Sequence, residues 1–434
     1  MIGLKKLLGS IADIGQKLFK KSSIKKNNLE TIVSLCDDLL SNKGAAFGIT
    51  VARDVLQIYQ KLSDEEKLSF FNKINDKYKP NSDEINKAID EYNKLNNSKT
   101  LSILLRTTEG KRRELFNRLN MAPNGTPTIV SVREDLLKFL DKNDQLIQLD
   151  NDLRYLFKSW FNPGFLKLEK ITWETKALIL EKIVKYERVH HMKDINDLKR
   201  RLGEDRRFFS YFHPALDDEP LIFVEVALTK GLGKSIQEIV KPSKKLDQKF
   251  DTATFYSISN CQEGLSRVTL GNFLIKRVVY EIQEELPNIK NFGTLSPIPG
   301  FRDWYLNLDD NKIKNILGNL SYSNISFLKT SNLKIGDQRI MSNKDIILKL
   351  VTHYLVNEKN KKKQPINDVC RFHLGNGAII DDIVIDANIS EVGFKRSFGI
   401  MVNYLYELKN IEKNHEEYMN KNLVICSEKI KRYL

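Results

Sequence analysis

The sequence has few cysteines, glycines and prolines, and it has no long apolar run. Its cysteines are far apart and form no C-x-x-C pair, which argues against a disulfide framework or a zinc site and predicts a reducing compartment. They are Cys36, Cys261, Cys370 and Cys426. With 21 glycines and 11 prolines among 434 residues, a collagen-like or low-complexity chain is excluded. No stretch reaches the roughly 18 apolar residues that would span a bilayer.

What is present is the composition of a folded chain, with 41% hydrophobic and 29% charged residues. A length of 434 residues is too great for one ordinary core and predicts two domains. The formal net charge of +14 is compatible with nucleic acid, a membrane surface or a phosphorylated small molecule as the partner. The sign of the charge alone does not choose among these partners. Because the excess is scattered and forms no stripe with aromatic residues, solvated lysine surface is the alternative that explains most of it.

Residues 1–187 are predicted to form an all-helical bundle, since apolar residues recur there at helical spacing. Ser63 and Glu66 have the spacing of a capping box, which predicts the start of a helix. Residues 1–22 are amphipathic and rich in lysine, but they contain no arginine. This segment is predicted to be the first surface helix of a cytoplasmic protein, with a transit peptide to the mitochondrial matrix as the alternative.

Residues 188–434 are predicted to form a mixed α/β domain, because the hydrophobic period changes there. Residues 221–228 and 252–259 are β-branched and aromatic runs typical of strands, and residues 272–285 have the pattern of an amphipathic helix. Further predicted elements are a helix near 345–356, a turn around 373–377, and strands near 379–385 and 401–408. The chain is therefore predicted to belong to the α+β class.

Two motifs that often carry chemistry are incomplete in this chain. Residues 229–235 follow a predicted strand as a phosphate-binding P-loop would, but Leu228 occupies the position of its first glycine, which predicts an ordinary turn. His190 and His191 are adjacent, so on a helix or strand they cannot both face one metal ion. The sequence therefore predicts no metal site.

The loop before the helix at residues 272–285 is a candidate anion site, because such a loop offers unpaired amide hydrogens at the positive end of a helix. The loop contains Gln262, Gly264, Arg267 and Gly271, and Lys276 and Arg277 lie one turn into the helix. A pyrophosphate would suit these residues. A loop that binds nothing is the alternative.

Ser296 and His373 are two further candidates. Ser296 lies in a loop made rigid by Pro297 and Pro299, which could hold its hydroxyl in one place. His373 lies beside Gly375 and Gly377, where a backbone could approach a ligand closely. For each of the two, a structural role is the alternative from the residues alone.

Four longer blocks are more specific than any of these short motifs. They are FYSISNCQEGLSRVTLGNFLIKRVVYEIQEELPNIKNFGTLSPIPGF at 255–301, WFNPGFLKLEKITW at 160–173, FHLGNGA at 372–378 and MVNYLYEL at 401–408. These blocks closely resemble the malonyl-CoA decarboxylase family. The resemblance implies a helical domain that self-associates, followed by a catalytic domain of the GNAT acyltransferase fold. It also implies conversion of malonyl-CoA to acetyl-CoA and carbon dioxide with no metal or organic cofactor.

The resemblance also implies roles for individual residues. The catalytic serine and histidine of the family fall on Ser296 and His373, a tyrosine near them falls on Tyr406, and Asn403 lies in the same block. The family's CoA-contacting loop falls on Ser266, Arg267, Val268, Thr269, Leu270, Gly271 and Asn272, with Ile275 just beyond. Thr269 stands where animal members carry a carboxylate, so the resemblance does not carry an acid role over to this position. The chain ends in Leu434 without the Ser-Lys-Leu signal of animal members, which argues against peroxisomal import.

Decarboxylation of a malonyl thioester leaves an enolate that must be sheltered and then protonated. We expect His373 to titrate near neutrality and to be the proton source, with Ser296 orienting the carboxylate and Lys276 or Arg277 near the CoA phosphates. Two other functions remain open. One is an acyltransferase of the same fold, and the other is a nucleic-acid-binding protein without enzymatic activity, which only the net charge suggests.

Overall fold

The computed structural model describes residues 9–10, 28–41, 44–241, 249–268, 274–318, 320, 322–330 and 333–434. The chain divides into two compact units. The first consists of Met1–Lys167, Phe212–Glu219 and Gln262–Thr269, and the second of Leu168–Tyr211, Pro220–Cys261 and Leu270–Leu434. Of the predicted helix at residues 1–22, all but residues 9–10 lies outside the described residues.

The first unit is helical in its described part. Its α-helices are α1 (Asn28–Leu40), α2 (Ala45–Tyr59), α3 (Asp64–Lys77), α4 (Ser82–Leu95), α5 (Ser98–Thr108), α6 (Lys111–Leu119), α7 (Gly125–Leu140) and α8 (Ile147–Trp160). The predicted capping box begins α3: the Ser63 hydroxyl accepts from the Glu66 amide at 3.3 Å, and the Ser63 amide donates to the Glu66 carboxylate at 2.9 Å. Phe71, Leu115 and Leu153 are fully buried in the core of this unit.

The second unit is built on a mixed sheet. In the described part of the chain the strands are β1 (Lys167–Lys170), β2 (Arg206–Phe212), β3 (Pro220–Thr229), β4 (Thr252–Asn260), β5 (Asn291–Thr294), β6 (Ser296–Pro297), β7 (Ile379–Val384) and β8 (Met401–Leu405). Their order is β1-β2-β3-β4-β5-β8-β6, and β7 also pairs with β8. Strands β4 and β5 run parallel, whereas β8 is antiparallel to β5, β6 and β7.

Helices are interspersed among these strands along the chain of the second unit, with the longest helical stretch between β6 and β7. They are α9 (Ala177–Tyr186), α10 (Ile195–Arg201), α11 (Ile236–Val240), α12 (Leu274–Glu285), α13 (Phe301–Asn307), α14 (Asp310–Leu317), α15 (Gln338–Ser342), α16 (Lys344–Val356), α17 (Asp368–Gly375), α18 (Glu391–Ser397), α19 (Ile411–Lys421) and α20 (Glu428–Lys431). A helical N-terminal region followed by a mixed α/β region confirms the predicted α+β class. The strands predicted at 221–228 and 252–259 are also confirmed, as β3 and β4.

The turn predicted around residues 373–377 is wrong in its first half. His373 lies in the last turn of α17, which continues to Gly375 because Cys370 and Leu374 bury their side chains at helical spacing. The true turn follows at Gly377, whose φ is +83° and where an added β-carbon would lie 2.2 Å from the Ile411 carbonyl oxygen. The glycines therefore mark the end of a helix and not a loop around the histidine.

The four cysteines and the apolar helices bear on two further predictions from the sequence. All of the cysteines are free and buried, so no disulfide joins them. Among the described residues, no helix has both the length and the apolar character needed to cross a bilayer.

Candidate active site

Ser296 lies at the start of β6, in the interior of the second unit. It is opposite Val402 in the antiparallel pair of β6 with β8, and it is 6% exposed. The chain after Ser296 is held at the Pro299 carbonyl, which accepts hydrogen bonds from the Tyr354 hydroxyl at 3.0 Å and from Asn367 Nδ2 at 2.9 Å. The proline-rich loop is thus fixed by long-range hydrogen bonds as well as by its prolines.

Asn367 also fixes the helix that carries His373. While its Nδ2 donates to Pro299, its Oδ1 accepts from the Cys370 amide at 2.8 Å and caps the N-terminus of α17. One buried side chain therefore sets both the loop after Ser296 and the start of the histidine helix. Sequence reasoning missed this residue, although an asparagine at the start of a helix is a recognisable signal.

The structure brings Ser296, His373 and Tyr406 together in one buried chain of hydrogen bonds. Ser296 Oγ lies 3.0 Å from His373 Nε2, and His373 Nδ1 lies 2.8 Å from the Tyr406 hydroxyl. Both His373 and Tyr406 are 2% exposed. The His373 ring also stacks on Tyr404, with 4.4 Å between the ring centroids. Packing and hydrogen bonds thus fix both the position and the orientation of the imidazole.

His373 does not titrate near neutrality, so that expectation is wrong. Burial removes the ring from water and lowers the pKa of His373 from its ordinary value to about 3. Burial also holds the pKa of the Tyr406 hydroxyl well above its ordinary range. At pH 7 the imidazole is therefore neutral and the phenol is protonated, which makes the arrangement a chain of neutral proton donors and acceptors.

Thr294 and Tyr404, which the sequence did not single out, complete this chain of hydrogen bonds. Ser296 donates its hydroxyl hydrogen to Thr294 Oγ1 at 2.8 Å, and Thr294 Oγ1 also accepts from the Tyr404 amide at 3.2 Å. Thr294 lies at the end of β5 and is fully buried. Its spacing of two residues from Ser296 places both on one side of an extended chain, and this is the only local signal that could have found it.

Asn403 lies on β8 and is 1% exposed. Its Nδ2 donates to the Thr294 carbonyl at 2.7 Å and to the Gly233 carbonyl at 3.0 Å. This side chain therefore holds the backbone of β5, on which Thr294 lies, and it occupies its amide hydrogens in doing so.

Only part of the predicted CoA loop lies among the described residues. Ser266, Arg267 and Val268 belong to the first unit, and Thr269, Leu270, Gly271 and Asn272 lie outside the described residues. The fully buried guanidinium of Arg133, on α7, donates to the carbonyls of Gly264 at 2.6 Å and Ser266 at 2.9 Å. Its ion pair with Asp150, at 2.7 Å, compensates the buried charge, so this stretch of backbone is firmly anchored within the first unit.

The other predicted binding residues lie on α12 of the second unit. Ile275 is fully buried, which makes it part of the core there. Lys276 Nζ pairs with the Glu412 carboxylate at 2.6 Å. A phosphate at Lys276 would have to compete with that carboxylate.

The incomplete motifs are used internally. The Gly231 amide donates to the Asp251 carboxylate at 2.8 Å and the Gly233 amide to Thr254 Oγ1 at 3.1 Å, so these two amides cradle no phosphate. His190 Nε2 lies 3.0 Å from the Tyr256 carbonyl oxygen. In the part of the chain that the structure describes, no group of three or more His, Cys, Asp or Glu side chains is arranged to hold a metal ion.

Comparisons with known proteins point to one family. The family model described as "Malonyl-CoA decarboxylase C-terminal domain" matches residues 164–434, and the one described as "Malonyl-CoA decarboxylase N-terminal domain" matches residues 78–161. The mitochondrial malonyl-CoA decarboxylase of Anser anser anser is 35% identical over 344 residues, which cover 73% of this chain and 68% of that protein. The protein of the same name from Mus musculus is 34% identical over 344 residues, covering 73% of this chain and 70% of that protein.

Solved structures give the same result. The crystal structure of malonyl-CoA decarboxylase from Rhodopseudomonas palustris is 38% identical, covers 94% of this chain and 100% of that chain, and superimposes with a TM-score of 0.83. That from Agrobacterium vitis is 37% identical, covers 93% of this chain and 99% of that chain, and gives a TM-score of 0.81.

Proposed function

The chain belongs to the malonyl-CoA decarboxylase family, and we propose that it converts malonyl-CoA to acetyl-CoA and carbon dioxide. The observation that carries this proposal is the contact of 3.0 Å between Ser296 Oγ and His373 Nε2, which joins residues 77 apart in the sequence. These are the residues on which the catalytic serine and histidine of the family fall. A buried hydroxyl that contacts a neutral imidazole can orient a substrate and move a proton.

The proposed reaction breaks the bond between C2 and the carboxyl carbon of the malonyl group. The electron pair of that bond enters the thioester to form an enolate, carbon dioxide leaves, and C2 takes up one proton to give acetyl-CoA. Hydrogen-bond donors aimed at the developing enolate oxygen lower the barrier, and one such donor is worth about 3 to 4 kcal/mol. The site must therefore supply at least one donor and one proton.

We assign the proton transfer to the Ser296 hydroxyl, with His373 restoring it. The carbon of a thioester enolate is a stronger base than a serine alkoxide, so a neutral hydroxyl is acidic enough to protonate it. The neutral imidazole then returns a proton to Ser296 from Nε2. The Tyr406 hydroxyl, 2.8 Å from Nδ1, donates a proton to that nitrogen, so the ring stays neutral. Solvent replaces the proton consumed in each turnover.

We further propose that residues 266–272 and Ile275 contact the CoA part of the substrate. The support is the anchoring of the Gly264 and Ser266 carbonyls by Arg133, since a loop whose backbone is already fixed loses little conformational entropy when it contacts a ligand. Arg133→Met should therefore raise the KM for malonyl-CoA and leave kcat nearly unchanged. A fall in kcat at constant KM would contradict this role for the loop.

The function is tested by following malonyl-CoA, acetyl-CoA and carbon dioxide with the purified chain, without an acyl acceptor. Equal amounts of acetyl-CoA and carbon dioxide are expected, and acyl transfer that requires an added amine would instead support the acyltransferase alternative. Ser296→Ala and His373→Asn should each lower kcat by roughly a hundredfold or more while calorimetry shows retained acetyl-CoA binding. Ser210→Ala is the matched control, because Ser210 is also buried but its hydroxyl donates to the Ile222 carbonyl. Full activity of both site variants would remove the pair from the mechanism.

We also propose that the helical region at residues 1–187 mediates self-association into a homo-oligomer. Its support is the apolar surface of α4 and α5, where Leu95 is 64% exposed and Leu105 is 59% exposed. Sedimentation velocity should show a smaller assembly for the Leu95→Lys, Leu105→Lys double variant and an unchanged one for Met419→Lys, an exposed methionine of the second unit. Equal masses for all three proteins would contradict the proposal.

For location we propose the cytoplasm, with the mitochondrial matrix as the alternative. The relatives from goose and mouse carry the word mitochondrial in their names, which supports the alternative. Imaging of a C-terminally tagged chain with and without residues 1–27 separates the two. Loss of a mitochondrial signal on truncation would overturn the cytoplasmic assignment.

A further inference from the structure

The hydrogen bonds around Ser296 all run in one direction. Ser296 has a single hydroxyl hydrogen, and it is donated to Thr294 Oγ1 at 2.8 Å. The contact of 3.0 Å with His373 Nε2 then requires the hydrogen to be on Nε2. Nδ1 is left as an acceptor, so the Tyr406 hydroxyl at 2.8 Å must donate to it. The chain of donors thus runs from Tyr406 through His373 and Ser296 to Thr294.

Thr294 is suited to be the end of this chain because its own position is fixed. It is fully buried at the end of β5, and its Oγ1 also accepts from the Tyr404 amide at 3.2 Å. Tyr404 in turn stacks its ring on His373, with 4.4 Å between centroids. Tyr404, on β8, therefore contacts both Thr294 and His373, which are the two hydrogen-bond partners of the Ser296 hydroxyl.

We infer that Thr294 is a positioning residue, which holds the Ser296 hydroxyl hydrogen in the resting protein and thereby fixes His373 as the Nε2–H tautomer. Its catalytic consequence rests on the proposed function. With the hydrogen held on Thr294, a lone pair of Ser296 Oγ faces Nε2–H, so the imidazole is already placed to return a proton when Ser296 gives its own to C2. Without Thr294, Ser296 would donate to Nε2 and the ring would have to change tautomer before it could return a proton.

The test compares Thr294→Val, which has the same shape but no hydroxyl, with Thr294→Ser, which keeps the hydroxyl. Protein labelled with 15N-histidine reports which ring nitrogen of His373 is protonated, and His373→Asn assigns the signal. The wild type and Thr294→Ser should show hydrogen on Nε2, whereas Thr294→Val should show it on Nδ1, donated to Tyr406. A purely structural role for Thr294 would lower stability without changing the tautomer.

The kinetic arm uses the decarboxylation assay. Thr294→Val should lower kcat at least about tenfold with the KM for malonyl-CoA within about twofold, and Thr294→Ser should restore most of kcat. The inference is overturned if the wild type itself carries hydrogen on Nδ1, a result that needs no variant to fold, or if Thr294→Val keeps the Nε2–H tautomer. The spectra need no substrate, so absence of carbon dioxide release by the wild type would refute the proposed function without deciding the role of Thr294.

Discussion

The low pKa of His373 makes a prediction about stability that does not depend on the proposed function. Burial lowers the pKa of His373 from 6.5 to about 3 in the folded protein, whereas the unfolded chain keeps a value near 6.5. Below pH 6.5 the unfolded chain therefore binds a proton that the folded protein does not. The free energy of unfolding therefore has its full value above pH 6.5, where the ring is neutral in both states. It decreases as the pH falls towards 3, by about 5 kcal/mol in all.

The perturbation that isolates this effect is His373→Asn, which removes the titrating ring. The free energy of unfolding of the wild type, relative to that of the variant, should fall by about 2 kcal/mol between pH 7.5 and pH 5. Urea unfolding followed by tryptophan fluorescence at several pH values measures it. His190, whose pKa is also lowered by burial, to about 4, titrates in both proteins and cancels in the comparison.

Parallel curves of stability against pH for the two proteins would refute the reasoning. They would mean that His373 is hydrated, or that a nearby negative charge restores its ordinary pKa.

Three further predictions concern other sites. Gly264→Ala should lower the stability measured by thermal unfolding by about 1 to 3 kcal/mol, because the new β-carbon would lie 2.0 Å from the Val130 carbonyl oxygen. Gly164→Ala, whose added β-carbon has its nearest atom at 3.4 Å, should have little effect. Equal melting temperatures for the two variants would contradict this prediction. Asn367→Asp keeps the acceptor that caps α17 but loses the donor to the Pro299 carbonyl in the loop after Ser296. In the decarboxylation assay kcat should therefore fall, while calorimetry should show that acetyl-CoA binding is retained. An unchanged kcat would argue against a role for Asn367 in placing Ser296. Burial raises the pKa of Glu225 to about 8, so between pH 4.5 and 8 the folded protein holds a proton that the unfolded chain has lost. The wild type should therefore lose stability relative to Glu225→Gln as the pH rises through this range. A difference in melting temperature that does not change with pH would exclude a protonated acid at this position.

The local features of this fold could be read from the sequence because they depend on neighbouring residues. The capping box at Ser63 and the strands at residues 221–228 and 252–259 need only a hydrogen bond across one turn or a run of β-branched and aromatic side chains. The turn predicted at His373 failed because glycine marks the end of a helix as readily as it marks a loop. Here the buried side chains of Cys370 and Leu374 decide for the helix.

The proximity of Ser296 and His373 could not be derived from local pattern. It came from the resemblance of long blocks to a family, because residues 77 apart meet only after β6 pairs with β8 and α17 packs beside them. Thr294 was missed although it is only two residues from Ser296, because a threonine in a strand usually signals β propensity and not a hydrogen-bond partner. The pKa of His373 was missed because burial, which dominates it, is a property of the packed structure.

The neutral imidazole decides which proton transfer the site can support. Charging His373 at pH 7 against a pKa of about 3 would cost about 5 kcal/mol, which exceeds the roughly 3 to 4 kcal/mol that one oriented donor contributes to an enolate-like transition state. A mechanism that begins with an imidazolium would therefore require more free energy than a single hydrogen bond returns. A hydroxyl that protonates the strongly basic C2, with the neutral ring replacing its hydrogen, avoids that cost. The demand on the fold is then for orientation rather than for charge. The hydrogen bonds that Thr294 accepts and that Asn367 and Asn403 donate can meet it.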